Sequence, residues 1–311
     1  MGMLRSHEII KIVGDLQARG ELRLAQQVAA QYMHTLESTE LRFMHLALTA
    51  RLGEDRAASE LLAGYLESGR WFSRWFLLRD AQLARLAQDA HFENLLRACD
   101  EQEARYRQSG AAVPLLQVPP GPPPYRLLVA IHGNGFNAQH SAEHWAAAQA
   151  AGWLVFHPLA QRVVGPGLHW WEDHAENLAQ VRAQAAAALP AYPLAAGQVL
   201  LGGFSKGGET AMVLALQGEF GARGFITVGA GGYLHMQPEG WQPLLASPPP
   251  RLRGVALYSP YDFERSGAVL TLERLRAAGL ELRLEHYCAE GHVFPPDFAE
   301  RFRQAANWIM G

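Results

Sequence analysis

The spacing of hydrophobic positions changes character once along the chain, near residue 112. Upstream, apolar residues recur every three or four positions, as in Ile9, Ile10, Ile12, Val13 and Leu16, then Leu22, Leu24, Ala25 and Val28. That period places them on one face of a helix, and the scarcity of glycine and proline lets the helices run. Downstream of Tyr125 the apolar runs shorten to strand length, over 127–131, 153–156, 199–201, 225–228, 254–258 and 282–287. Helical stretches over 142–151, 175–189, 211–216, 268–278 and 296–310 lie between and after them. This alternation predicts a doubly wound, mainly parallel α/β sheet with right-handed crossovers, preceded by an all-α helical-repeat domain. The proline-rich run from Val113 to Pro124 reads as a semi-rigid connector, with room for one edge strand over 113–118. The expected organisation is a helical domain over 1–112, a linker over 113–124 and an α/β domain over 125–311.

The helical third repeats itself. Gly20-Glu21-Leu22-Arg23-Leu24-Ala25, continuing to Ala30 and Tyr32, recurs 33 positions later as Gly53-Glu54-Asp55-Arg56-Ala57-Ala58, continuing to Ala63 and Tyr65. A glycine ending the first helix of each pair, with small alanines where helices cross, suits stacked helical hairpins. This part resembles a short tetratricopeptide-like array of two hairpins and a closing segment, although the usual Trp-Leu-Gly-Tyr signature is missing. In the closing segment Trp71, Trp75, Leu83, Leu86 and Phe92 supply large apolar anchors, and Asp80 and Asp89 stand where helix caps belong. Three roles stay open for the array: recognition of a peptide or protein partner, self-association into a homo-oligomer, or packing on the second domain.

Composition removes several function classes. Apolar residues make up 49% of the chain and the net charge is −3, so a core can form while nothing favours nucleic acid or an anionic membrane. No apolar run approaches the roughly 20 residues of a membrane helix, and the N-terminus lacks the apolar core of an export signal. Cys99 and Cys288 lie far apart without metal-type spacing and read as free thiols of a reducing, cytoplasmic compartment.

The chemistry concentrates around Gly203-Phe204-Ser205-Lys206-Gly207-Gly208. The apolar run before it and the helical stretch after it make this a strand–turn–helix nucleophile elbow, with Ser205 at its apex and glycines where side chains would collide. A serine nucleophile needs a base, and the base an orienting acid. Asp262 follows one predicted strand through Ser259-Pro260-Tyr261, and His292 follows the next through Cys288-Ala289-Glu290-Gly291. Loops at the carboxyl ends of strands are where an open α/β sheet gathers such residues. Glu264 is the substitute acid. After the strand over 127–131, His132-Gly133-Asn134-Gly135 offers the backbone amide of Asn134, with that of Lys206, as an oxyanion hole, and His132 as a brace for the loop.

Together His132-Gly133-Asn134-Gly135, Trp170-Trp171-Glu172-Asp173, the segment around Ser205 and Gly291-His292-Val293-Phe294-Pro295 resemble the phospholipase/carboxylesterase group of α/β-hydrolases. That group includes small carboxylesterases and acyl-protein thioesterases. The resemblance spans Tyr125 to the end. It implies a serine hydrolase acting on small esters or thioesters through an acyl-enzyme on Ser205, without metal or organic cofactor. Relatives commonly carry glutamine where this chain has Lys206, whose cation is expected to favour acidic substrates. Trp171, Tyr261 and Phe294 are expected to contact substrate, and 233–250 to line the pocket entrance. A peptidase and an inactive interaction scaffold are the competing readings. Two other patterns lead nowhere. Gly133-x-Gly135-x-x-Ala138 fits a dinucleotide fingerprint, but the next strand ends in His157 instead of an acidic residue. His169, Asp173 and His174 lack a further ligand at metal spacing.

Overall fold

Upstream of residue 112 the helical periodicity becomes α1 (Ser6–Ala18), α2 (Leu22–Tyr32), α3 (Thr39–Arg51), α4 (Asp55–Glu67), α5 (Arg74–Leu77), α6 (Ala81–Leu86) and α7 (Ala90–Gln108). The structure is a computed structural model, and it describes residues 6–33, 36, 38–232, 234, 238–246, 248–262, 265–289 and 291–311. The chain divides into two units, Met1–Ala111 with Val163–Pro166, and Ala112–Arg162 with Gly167–Gly311.

The repeat in the sequence is a repeat of helix ends. Gly20 and Gly53 take φ of +78° and +76°, a region that costs a side chain dearly. The next amides turn back, Glu21 N–H donating to the Leu16 carbonyl (2.9 Å) and Glu54 N–H to that of Thr49 (3.2 Å). The same left-handed cap therefore closes α1 and α3, giving the two hairpins α1–α2 and α3–α4. Ala25 and Ala58, one repeat apart, are both fully buried. Across the repeat Glu54 accepts from Gln26 (2.8 Å) and pairs with Arg23. In the closing segment Asp80 accepts from the amides of Gln82 and Leu83, and Asp89 from those of His91 and Phe92, so both expected caps form. Trp71, Leu83, Leu86 and Phe92 are buried.

Downstream of residue 112 the strands are β1 (Leu115–Gln117), β2 (Tyr125–Ile131), β3 (Trp153–His157), β4 (Arg162–Gly165), β5 (Leu168–Trp170), β6 (Leu194–Phe204), β7 (Gly224–Val228), β8 (Arg253–Tyr258) and β9 (Glu281–His286). Among the described residues seven of these form one sheet in the order β1-β3-β2-β6-β7-β8-β9, while β4 and β5 form a separate hairpin. β1 is the anticipated edge strand and runs antiparallel to β3; the other pairs in the sheet are parallel. Residues of β2 alternate between two apolar layers. Leu127, Val129 and Ile131 join a core with Leu201 and Val213, and Leu128 and Ala130 join one with Trp145 and Phe302. Burial on both faces is what a parallel sheet requires.

Helices of the second unit include α8 (Ala138–His144), α9 (Ala146–Ala150), α10 (His174–Ala188) and α11 (Lys206–Leu216), then Arg265–Ala277 and Phe298–Met310. The single helix expected over 142–151 is broken at Trp145, which is fully buried and stands between α8 and α9. From β2 the chain steps outward to β3 and then returns past β2 to β6. The winding reverses there, so the carboxyl ends of β2 and β6 flank the crevice where doubly wound sheets bind ligands. Pairing of Ile131 with Gly203, Phe204 with Val228 and Tyr258 with His286 sets those ends at one level.

Candidate active site

Ser205 directly follows β6 with φ of 53° and ψ of −126°, a strained conformation for a residue bearing a side chain. Four backbone hydrogen bonds hold it there. Its amide donates to the Val228 carbonyl (3.0 Å), and its carbonyl accepts from the amides of Gly208 (2.9 Å), Glu209 (3.2 Å) and Gly231 (3.2 Å). The flanking glycines are dictated by space. A Cβ on Gly203 would fall onto the Gly207 carbonyl, and one on Gly207 onto the carbonyls of Ile131 and His132. One on Gly208 would lie 2.9 Å from the Ala230 Cβ. Lys206 opens α11, at a position whose amide has no acceptor within the helix.

Asp262 and His292 meet at the ends of β8 and β9. Both carboxylate oxygens of Asp262 lie 2.9 Å from His292 Nδ1, and the carboxylate is buried. This places the proton on Nδ1 and leaves Nε2 as the basic nitrogen. The two loops are tied together: the Ser259 hydroxyl donates to the Ala289 carbonyl, and the Tyr287 hydroxyl to that of Val293 (2.5 Å). Burial pushes the Tyr287 pKa upward, so the phenol stays a donor. A Cβ on Gly229 would lie 2.7 Å from Asp262 Oδ2 and 3.0 Å from His292 Cε1. Gly229 directly follows Val228, whose carbonyl holds Ser205, so the acid, the histidine and the serine gather around the end of β7. Glu264, the substitute acid, lies outside the described residues.

The loop after β2 is braced from beneath. His132 is buried, and its Nε2 accepts from the Ala160 amide (3.1 Å), so Nδ1 carries the proton and donates to the Gly133 carbonyl (2.7 Å). Burial lowers its pKa to about 3, which keeps it neutral as a brace. A Cβ on Gly133 would lie 3.1 Å from the Ser205 Cβ, which shows how closely the loop approaches the elbow. The Asn134 side chain is committed to Trp171, accepting from its amide (2.7 Å) and donating to its carbonyl (3.3 Å).

Several expectations about side chains are corrected. Trp171 is buried under the loop, its indole donating to the His132 carbonyl (2.8 Å), and is a brace instead of a pocket wall. Tyr261 is 64% exposed and does not line the cavity beside the elbow. The Lys206 side chain is buried against Glu209, which also accepts from the Leu234 amide (2.9 Å). The cation expected to select acidic substrates is therefore neutralised inside the fold. Asp173 caps α10 by accepting from the Glu176 amide (3.0 Å), and His169 Nδ1 lies 2.6 Å from the Ala160 carbonyl. No metal-binding cluster occurs among the described residues, and none of their helices is long and apolar enough to cross a membrane. Tyr233, 235–237 and 247, within the expected entrance, are outside the described residues.

Phe294 does line a cavity of about 200 Å³ beside the elbow, together with Gly133, Phe136, Trp145, Phe204 and His292. Trp145 and Phe204 carried no local signal that marked them as wall residues. The partner of Lys206 was visible in principle, since Glu209 lies one turn further along the same helix.

No family model matches the chain, and no curated protein matches it. Solved structures do. An uncharacterized protein from Bacillus cereus is similar at 16% identity and a TM-score of 0.54, over 98% of this chain and 99% of that one. Esterase PE8 is similar at 17% identity and a TM-score of 0.51, over 61% of this chain and 97% of that one. Sheet order, crossover pattern and these likenesses define an α/β-hydrolase fold, preceded by a helical segment.

Proposed function

We propose that the protein is a serine hydrolase that cleaves carboxylic esters or thioesters with the 125–311 domain. The observation that carries this is the double contact of Asp262 on His292 Nδ1 beside a serine held at φ of 53°. His292 Nε2 removes the Ser205 proton as Oγ attacks the carbonyl carbon. Asp262 keeps the imidazole in that tautomer and stabilises its cation. The backbone amides of Asn134 and Lys206 hold the oxyanion. Collapse expels the alcohol or thiol, protonated by His292, and water activated by the same nitrogen releases the acid and restores Ser205. The fold shared with esterase PE8 supports this reading, and repeated caps support a tetratricopeptide-like array over 1–112. Hydrolysis of ethyl butyrate, followed by titration of the released acid, tests the proposal. Turnover should vanish in Ser205→Ala, and turnover retained in that variant would defeat it.

A further inference from the structure

The cavity beside Ser205 is walled by rings. Phe136 meets Phe204 edge to face, with centroids 5.7 Å apart at 87°. Phe204 lies against Phe294 at 5.0 Å and 25°. His144 stacks flat on the same Phe294 at 4.2 Å and 3°, and Trp145 meets it at 90°. Two of the polar residues in the lining, Ser141 and His140, have partners already. The Ser141 hydroxyl donates to the Ala130 carbonyl (3.1 Å) and lies 3.0 Å from His157 Nδ1, and His140 Nδ1 lies 3.1 Å from Asn137 Oδ1. The volume is about 200 Å³. A dry cavity of roughly 150 Å³ accommodates benzene, so this one holds a single ring and little more.

We infer that this cavity takes one aromatic ring of the substrate, making aryl-bearing esters the substrate class; the inference rests on the serine-hydrolase reading above. Faces and edges of fixed rings reward a flat, quadrupolar guest over an aliphatic one of equal size, by about two- to tenfold per good contact. The rigid cluster of rings supplies both orientations.

The ring sits on either the acyl or the alcohol side of the ester, and two pairs of substrates separate the cases. Ethyl phenylacetate is compared with ethyl cyclohexylacetate, and benzyl acetate with cyclohexylmethyl acetate, by kcat/KM from acid titration on the full-length protein. A preference for the aromatic member of threefold or more in at least one pair is expected, and that pair names the side. Less than threefold in both pairs, on an enzyme that turns esters over, overturns the inference and leaves the hydrolase reading standing. No turnover of any ester, and no fluorophosphonate adduct on Ser205, defeats the hydrolase reading and the inference with it. Phe136→Leu and Phe294→Leu should each lower the aromatic preference at least twofold. A preference unmoved in both variants, with circular dichroism showing them folded, places the ring elsewhere and equally overturns it. Butylboronic acid inhibiting more tightly than phenylboronic acid would also count against it, with no variant involved.

Discussion

Glycine serves opposite purposes in the two units. In the helical unit Gly20 and Gly53 have positive φ and open space where a Cβ would stand. At the elbow Gly203 and Gly207 have ordinary φ and no space at all. The first pair answers a question of backbone handedness, which local sequence decides. The second answers a question of distance between β2, β6 and α11, which only the assembled sheet decides. The positive φ of the elbow is carried by the serine itself. The helical unit is thus specified locally, with exposed ion pairs such as Lys11–Asp15 and Arg56–Glu60 that add little. The elbow depends on many parts being in place at once.

That contrast can be broken from either end. Gly207→Ala should be the most damaging change, costing more than about 4 kcal/mol because its methyl meets backbone and not a movable side chain. Urea denaturation measures it, and a loss under 1 kcal/mol would refute the close-approach argument. Next comes the ion pair behind the elbow. Glu209→Leu leaves the Lys206 charge buried without its carboxylate and should cost about 3–5 kcal/mol. Adding Lys206→Met should recover most of that loss, since an apolar pair asks for no counter-charge.

Acid should then act mainly on the α/β unit. His132 and His157 are both held neutral by burial, with pKa values of about 3 against an ordinary 6.5. As pH falls, the unfolded chain binds these protons before the folded one does. The stability they confer is complete above pH 6.5 and drains away as pH drops toward 3. Thermal midpoints should be level above pH 6.5 and decline below it, with a shallower decline in His157→Gln. A midpoint independent of pH between 6.5 and 4 would contradict this. The smallest effect belongs to the helical unit. Gly53→Ala should cost only about 1–2 kcal/mol, the strain of a side chain at φ of +76° with nothing to clash against.

Legibility follows the same division. The cap glycines and the aspartate caps were readable because each depends on residues within one turn. The strands, their alternation with helices and the positions of Ser205, Asp262 and His292 were readable because loop chemistry sits at strand ends that hydrophobic runs reveal. What could not be read was side-chain direction. Trp171 and Phe294 look equally suited to a pocket wall, yet one turns under the β2 loop and the other into the cavity. Lys206 beside the nucleophile invites a role with substrate, until Glu209 is seen to take its charge. The β4–β5 hairpin also escaped notice, since strands of three and four residues carry too little periodicity to register. The break at Trp145 is likewise set by packing, because the alanines around it would let one helix continue.

Treatment of the full-length protein with a fluorophosphonate, followed by mass spectrometry of its peptides, reports whether Ser205 is an activated nucleophile. The expected result is one adduct on Ser205, absent in Ser205→Ala and strongly slowed in His292→Ala. A folded protein that takes up no label, or that labels equally fast without His292, would mean that the serine is not activated by this histidine.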